Sequence, residues 1–137
     1  MKLLVDTSVW SLALRRKDPA ALSTQESRLS AMLTEAIRDG RVVMIGPKRQ
    51  RLLSGIKDSN QFNRLRTALQ PYRDEPIETS DYEEAARLYD FCRSRGVECG
   101  PVDILICAVA KVRHWQVLAN DATLNRCLEV IGSKKQI

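Results

Sequence analysis

The chain has 137 residues, with 22 lysines and arginines against 17 aspartates and glutamates, for a net charge of +5. A chain of about 150 residues hides roughly 68–70% of its unfolded surface, so a single domain over residues 1–137 with a real core is expected. At 44% hydrophobic and 28% charged residues, disordered, collagen-like and low-complexity classes are excluded. The longest apolar run, Ile104 to Ala110, falls far short of the roughly 20 residues of a membrane helix. Asp6 interrupts the stretch where a signal peptide would be apolar, so a cytoplasmic location without membrane contact is expected.

In chain order, Lys2-Leu3-Leu4-Val5 reads as a buried strand ending at Asp6. Asp6-Thr7-Ser8 offers an N-cap for a short apolar helix through Val9, Trp10, Leu12, Ala13 and Leu14. Arg15-Arg16-Lys17-Asp18-Pro19 reads as a charged loop. Leu29, Met32, Leu33, Ala36 and Ile37 recur at helical spacing from about Ser23 to Arg38, and Asp39-Gly40 closes that helix. Val42-Val43-Met44-Ile45 is a second strand, and Gly46-Pro47 opens a helix with Leu52, Leu53 and Ile56 inward. Phe62, Leu65 and Leu69 mark a further helix, closed by Pro71.

Pro76-Ile77-Glu78 is a weak strand candidate, and Ser80-Asp81-Tyr82-Glu83 has the capping-box pattern for a helix that Gly96 ends. Pro101-Val102-Asp103 opens a segment, apolar almost all round, that length and alanine content assign to a buried helix ending near His114. Gln116 to Ala119 is a strand, Asn120-Asp121 turns into a short helix holding Leu124 and Cys127, and Leu128 to Ile131 reads as a last strand before a tail from Gly132. Strands alternating with helices imply an α/β protein, a three-layer α/β/α sandwich with a mostly parallel sheet. Trp10, Leu14, Met32 and Leu33 supply more apolar surface than two short helices need, so a covering partner competes with plain core packing there.

Open parallel sheets form sites at the carboxyl ends of their strands. Asp6 and Asp121 end strands, and Asp103 lies in the first turn of the buried helix, where the dipole favours an anion. Singly each reads best as a helix cap. Together they predict one acidic cleft, and oxygen ligands of this kind suit Mg²⁺ or Mn²⁺. Cys92, Cys99, Cys107 and Cys127 have no C-x-x-C spacing and His114 is the lone histidine, so buried reduced thiols are expected rather than zinc or a Cys/His hydrolase.

Four blocks, Val5-Asp6-Thr7-Ser8-Val9-Trp10, Gly46-Pro47 with Leu52-Leu53-Ser54-Gly55-Ile56, Val102 to Ala108, and Leu118-Ala119-Asn120-Asp121, together resemble a PIN domain, specifically a VapC-type toxin ribonuclease. The resemblance implies the toxin of a toxin–antitoxin pair, a Mg²⁺- or Mn²⁺-dependent endoribonuclease acting on structured RNA such as tRNA. It also implies frequent homodimers and a VapB-type antitoxin. It places the catalytic and metal-binding acids at Asp6, Asp103 and Asp121, with Thr7 or Ser8 positioning substrate. The metal would lower the pKa of a bound water and stabilise charge on the phosphate.

One departure stands out. Where such toxins carry a glutamate just before Leu-Leu-Ser-Gly-Ile, this chain has Arg51, and the next acid is Asp58. A guanidinium suits carboxylate pairing, so Arg51 is expected to point into the cleft as an internal counterion, against the alternative that it bends to solvent. Weak metal binding and impaired cleavage follow, with recovery in Arg51→Glu. The competing function is a PIN module that binds RNA or antitoxin without cleaving. Receiver and haloacid-dehalogenase-type readings fit poorly, because Asp6-Thr7-Ser8 is neither an acidic pair nor Asp-x-Asp. Basic groups at Arg15-Arg16-Lys17, Lys48-Arg49-Arg51, Arg64-Arg66, Arg93-Arg95, Lys111-Arg113 and Lys134-Lys135 suit phosphate contacts, and with 5% aromatic residues base stacking is a minor theme.

Overall fold

The structure, a computed structural model, describes residues 1–14 and 21–134. Strand β1 (Leu3–Val5) leads into helices α1 (Thr7–Leu14) and α2 (Thr24–Arg38), then strand β2 (Val42–Val43). Helices α3 (Gly46–Leu53), α4 (Ser59–Leu69), α5 (Thr79–Ser94) and α6 (Pro101–Arg113) precede strand β3 (Gln116–Leu118) and helix α7 (Ala122–Lys134). The sheet has the order β2-β1-β3, with β1 parallel to both neighbours and Val5 opposite Leu118.

The pleat separates two cores. Successive side chains of a strand point to opposite faces. Leu4, Val43 and Ile45 accordingly join α5, α6 and α7, through Leu88, Ile106, Val109 and Leu124 among others. Leu3, Val5 and Met44 turn the other way, to Val9, Trp10, Leu33, Ala36, Leu52 and Leu69. Helices thus cover both faces of a parallel sheet, the expected α/β/α sandwich. All four cysteines are free and buried, and burial with neighbouring thiols pushes Cys127 up to about 12.

Four sequence expectations change. Leu128 to Ile131 is helical, the later part of α7. Leu124, Cys127, Val130 and Ile131 are all buried, and that spacing is the period of one helix face. Gly132 lies within α7 rather than beginning a tail, and residues 135–137 lie outside the described residues. Pro76-Ile77-Glu78 is not a strand; the chain instead pairs with Met44 at Asp74, where the Glu75 amide donates to the Met44 carbonyl at 2.8 Å. At the start of α5 the box is Glu78 with Asp81, two residues before the Ser80-Glu83 pattern, and the Asp81 carboxylate accepts the Glu78 amide at 2.8 Å.

Trp10 and Leu33 are buried within the chain, and Leu14 and Met32 pack against the same core. Core packing therefore accounts for Trp10 and Leu33, while Leu14 and Met32 stay partly exposed beside it. The charged run at residues 15–19 lies outside the described residues. His114 ends α6 in the left-handed conformation, with φ 58°, and its role is that of a helix terminator.

Candidate functional site

The carboxyl edge of the sheet between β1 and β3 is where two chain ends meet after parallel strands. The Asp6 amide donates to the Leu118 carbonyl at 2.9 Å, which fixes Asp6 beside the β3 exit. Ser8 ties the two loops together: its hydroxyl accepts the Asn120 amide at 2.8 Å and donates to Asp6 Oδ2 at 2.6 Å. Asp6 Oδ2 also accepts the Ser8 amide at 3.1 Å, so Asp6 caps α1.

The other Asp6 oxygen belongs to a residue the sequence reading left on the surface. Lys48 is wholly buried, and its Nζ lies 2.6 Å from Asp6 Oδ1 and 3.3 Å from Thr7 Oγ1. Lysine is almost never fully buried unless paired. The signal was present in the sequence: Lys48 stands one turn before Leu52, so the apolar face of α3 runs through Lys48. A default assignment of lysine to solvent hid it.

One turn further along α3, Arg51 Nη1 lies 2.8 Å from Asp103 Oδ1. Arg51 is half-exposed and Asp103 is mostly covered, at 47% and 14% side-chain exposure, so the pair lies at the surface of the molecule. Arg51 thus pairs with one of the three acids, Asp103. Asp121 stands at the start of α7, where its Oδ1 accepts the Leu124 amide at 3.0 Å. Among the described residues Asp121 has no cationic partner. Thr7 and Ser8 both orient Asp6 or its lysine.

The electrostatics follow from these contacts. Burial by itself would raise the Asp6 carboxyl. Hydrogen bonds from Lys48 and Ser8, with the Lys48 charge, outweigh it and hold Asp6 below its ordinary value of 3.8.

A family model, the PIN domain, matches residues 3–127. The chain belongs to the PIN domain family. It is similar to the crystal structure of FitAcB from Neisseria gonorrhoeae, at 21% identity over 93% of each chain with a TM-score of 0.72, a likeness of fold. No curated protein matches it.

PIN domains are generally metal-dependent nucleases, and the residues present fit a divalent ion poorly. A Mg²⁺ site needs carboxylate oxygens free to approach to about 2.1 Å in octahedral geometry. Here both Asp6 oxygens and one oxygen each of Asp103 and Asp121 already accept hydrogen bonds. Among the described residues no group of three acidic, histidine or cysteine side chains is arranged to hold a metal.

Proposed function

We propose that this chain is the PIN-fold component of a toxin–antitoxin pair, binding structured RNA such as tRNA and a VapB-type antitoxin, with hydrolysis strongly suppressed. The sequence blocks that resemble VapC-type toxins support the toxin assignment, and a homodimer belongs to the same reading. The observation that carries the suppression is the ion pair of Arg51 with Asp103, at the position where those toxins have a glutamate. A guanidinium there can neither ligate a cation nor accept a proton from water. Asp6, Asp103 and Asp121 remain the acids of an active relative's site, and Thr7 and Ser8 remain its polar neighbours.

Reversing Arg51 alone leaves Lys48 on Asp6, so the test reverses both. With tRNA and Mn²⁺, the parent chain is expected to bind RNA in a gel shift. Its cleavage should be slower than that of Lys48→Met/Arg51→Glu by on the order of 10²–10⁴-fold, the usual contribution of a positioned acid–base group. Equal cleavage rates would remove the suppression, and absence of RNA binding by the parent would remove the RNA reading.

A further inference from the structure

Helix α3 carries two cations one turn apart, and each is paired with a different one of the three acids. Lys48 is held inside, with no exposed surface and with Asp6 at 2.6 Å; Arg51 lies at the mouth, with Asp103 at 2.8 Å. Together they bring two positive charges, the charge of one divalent ion. Pro47, at the start of the helix, helps set this register. An ion binding Asp6 would have to displace a wholly buried ammonium from it. It would then face that ammonium's repulsion at close range.

We infer that Lys48 and Arg51 take the place of the divalent cation, so that this PIN cleft is held together by cations built into the chain and is independent of metal. The inference rests on the reading that this cleft is the functional one. It adds to that reading that the site needs no Mg²⁺ or Mn²⁺ to keep its acids in place. Lys48 is the principal replacement, because Asp6 is the most deeply buried of the three acids and has no other cation among the described residues. Asp121 keeps its capping bond and forms no part of the replacement.

The test is a titration of the full chain with Mn²⁺ alone, read by the electron paramagnetic resonance signal of the free ion and by thermal unfolding with and without EDTA. The parent is expected to leave the free-ion signal undiminished and to melt at one temperature in both conditions. Lys48→Met/Arg51→Glu is expected to bind Mn²⁺, and at 100 times its Kd to melt about 10 °C higher than in EDTA. Arg51→Glu alone changes only a half-exposed side chain, and serves if the double variant does not fold without metal. Its Mn²⁺ affinity should exceed the parent's. A parent that binds Mn²⁺ as tightly as the double variant, or as Arg51→Glu where the double variant does not fold, or that melts lower in EDTA, overturns the inference. The titration contains neither RNA nor antitoxin, so its failure is distinct from failure of the RNA-binding reading.

Discussion

At the scale of single residues, Asp6 shows that a helix cap and a cleft acid are the same side chain. One oxygen caps α1 through Ser8, and the other receives Lys48. A buried pair of this kind is costly to break, because removing one partner strands the other's charge; such losses run to about 3–5 kcal/mol. The pH dependence has a definite sign. In the parent the folded Asp6 carboxyl is held below 3.8, so its contribution is fully present above that value. It is lost as pH falls through the lower, folded value. In Lys48→Met the main opposing influence is gone, burial dominates, and the folded carboxyl rises above its unfolded value. The variant then gains relative stability as acid protonates Asp6. Urea unfolding in EDTA at pH 7 and pH 4 checks this: the gap between parent and Lys48→Met should be largest at pH 7 and narrower at pH 4. A gap that is the same at both would show that Lys48 acts through packing alone.

At the scale of elements, the sequence disclosed helices and strands wherever apolar period and boundary chemistry agreed. Gly46-Pro47, Gly96 and Pro101 marked real boundaries, and the apolar segment after Pro101 is the helix its length implied. The misreadings share a cause. Leu128 to Ile131 contains a β-branched pair that suits a strand locally, but Leu124 and Cys127 upstream place it on a helix face. Ser80 fits a capping box by type, yet Asp81 is drawn to a tertiary partner that no local pattern reveals. Both Asp81 oxygens receive Arg113 from the end of α6 at 2.8 Å, and Arg113 also donates to the Pro76 carbonyl at 2.9 Å. The Arg113 hydrogen bonds, offset in part by burial, hold the Asp81 carboxyl below its ordinary value. This fork clamps the start of α5 to the end of α6. Arg113→Met is expected to cost about 3 kcal/mol in urea unfolding, since Asp81 is almost wholly buried. Arg113→Lys should recover only part of that, because an ammonium cannot make the two parallel bonds. Full recovery with lysine would mean that charge, and not the planar fork, holds the two helices.

At the scale of the whole molecule, the positive charge is spent unevenly. Lys48, Arg51, Arg113 and Lys111 are paired with Asp6, Asp103, Asp81 and Glu84. Arg49 is committed to Asp74 and to the Leu69 and Tyr72 carbonyls, which fastens α3 to the end of α4. Arg64 and Arg66, by contrast, are exposed on α4, the helix that packs on α3. The RNA-binding reading makes both arginines candidates for phosphate contacts. Phosphate contacts release counterions, so affinity falls with salt by a slope of about 0.7–0.9 for each contact. Arg64→Glu/Arg66→Glu is therefore expected to weaken tRNA binding most at low salt and to flatten the salt slope by roughly 1.5. The melting temperature should stay unchanged, because exposed residues away from packed features rarely alter stability by more than about 0.5 kcal/mol. Fluorescence anisotropy across a salt series measures the slope. An unchanged slope would place the RNA elsewhere on the molecule and leave α4 as a solvated face.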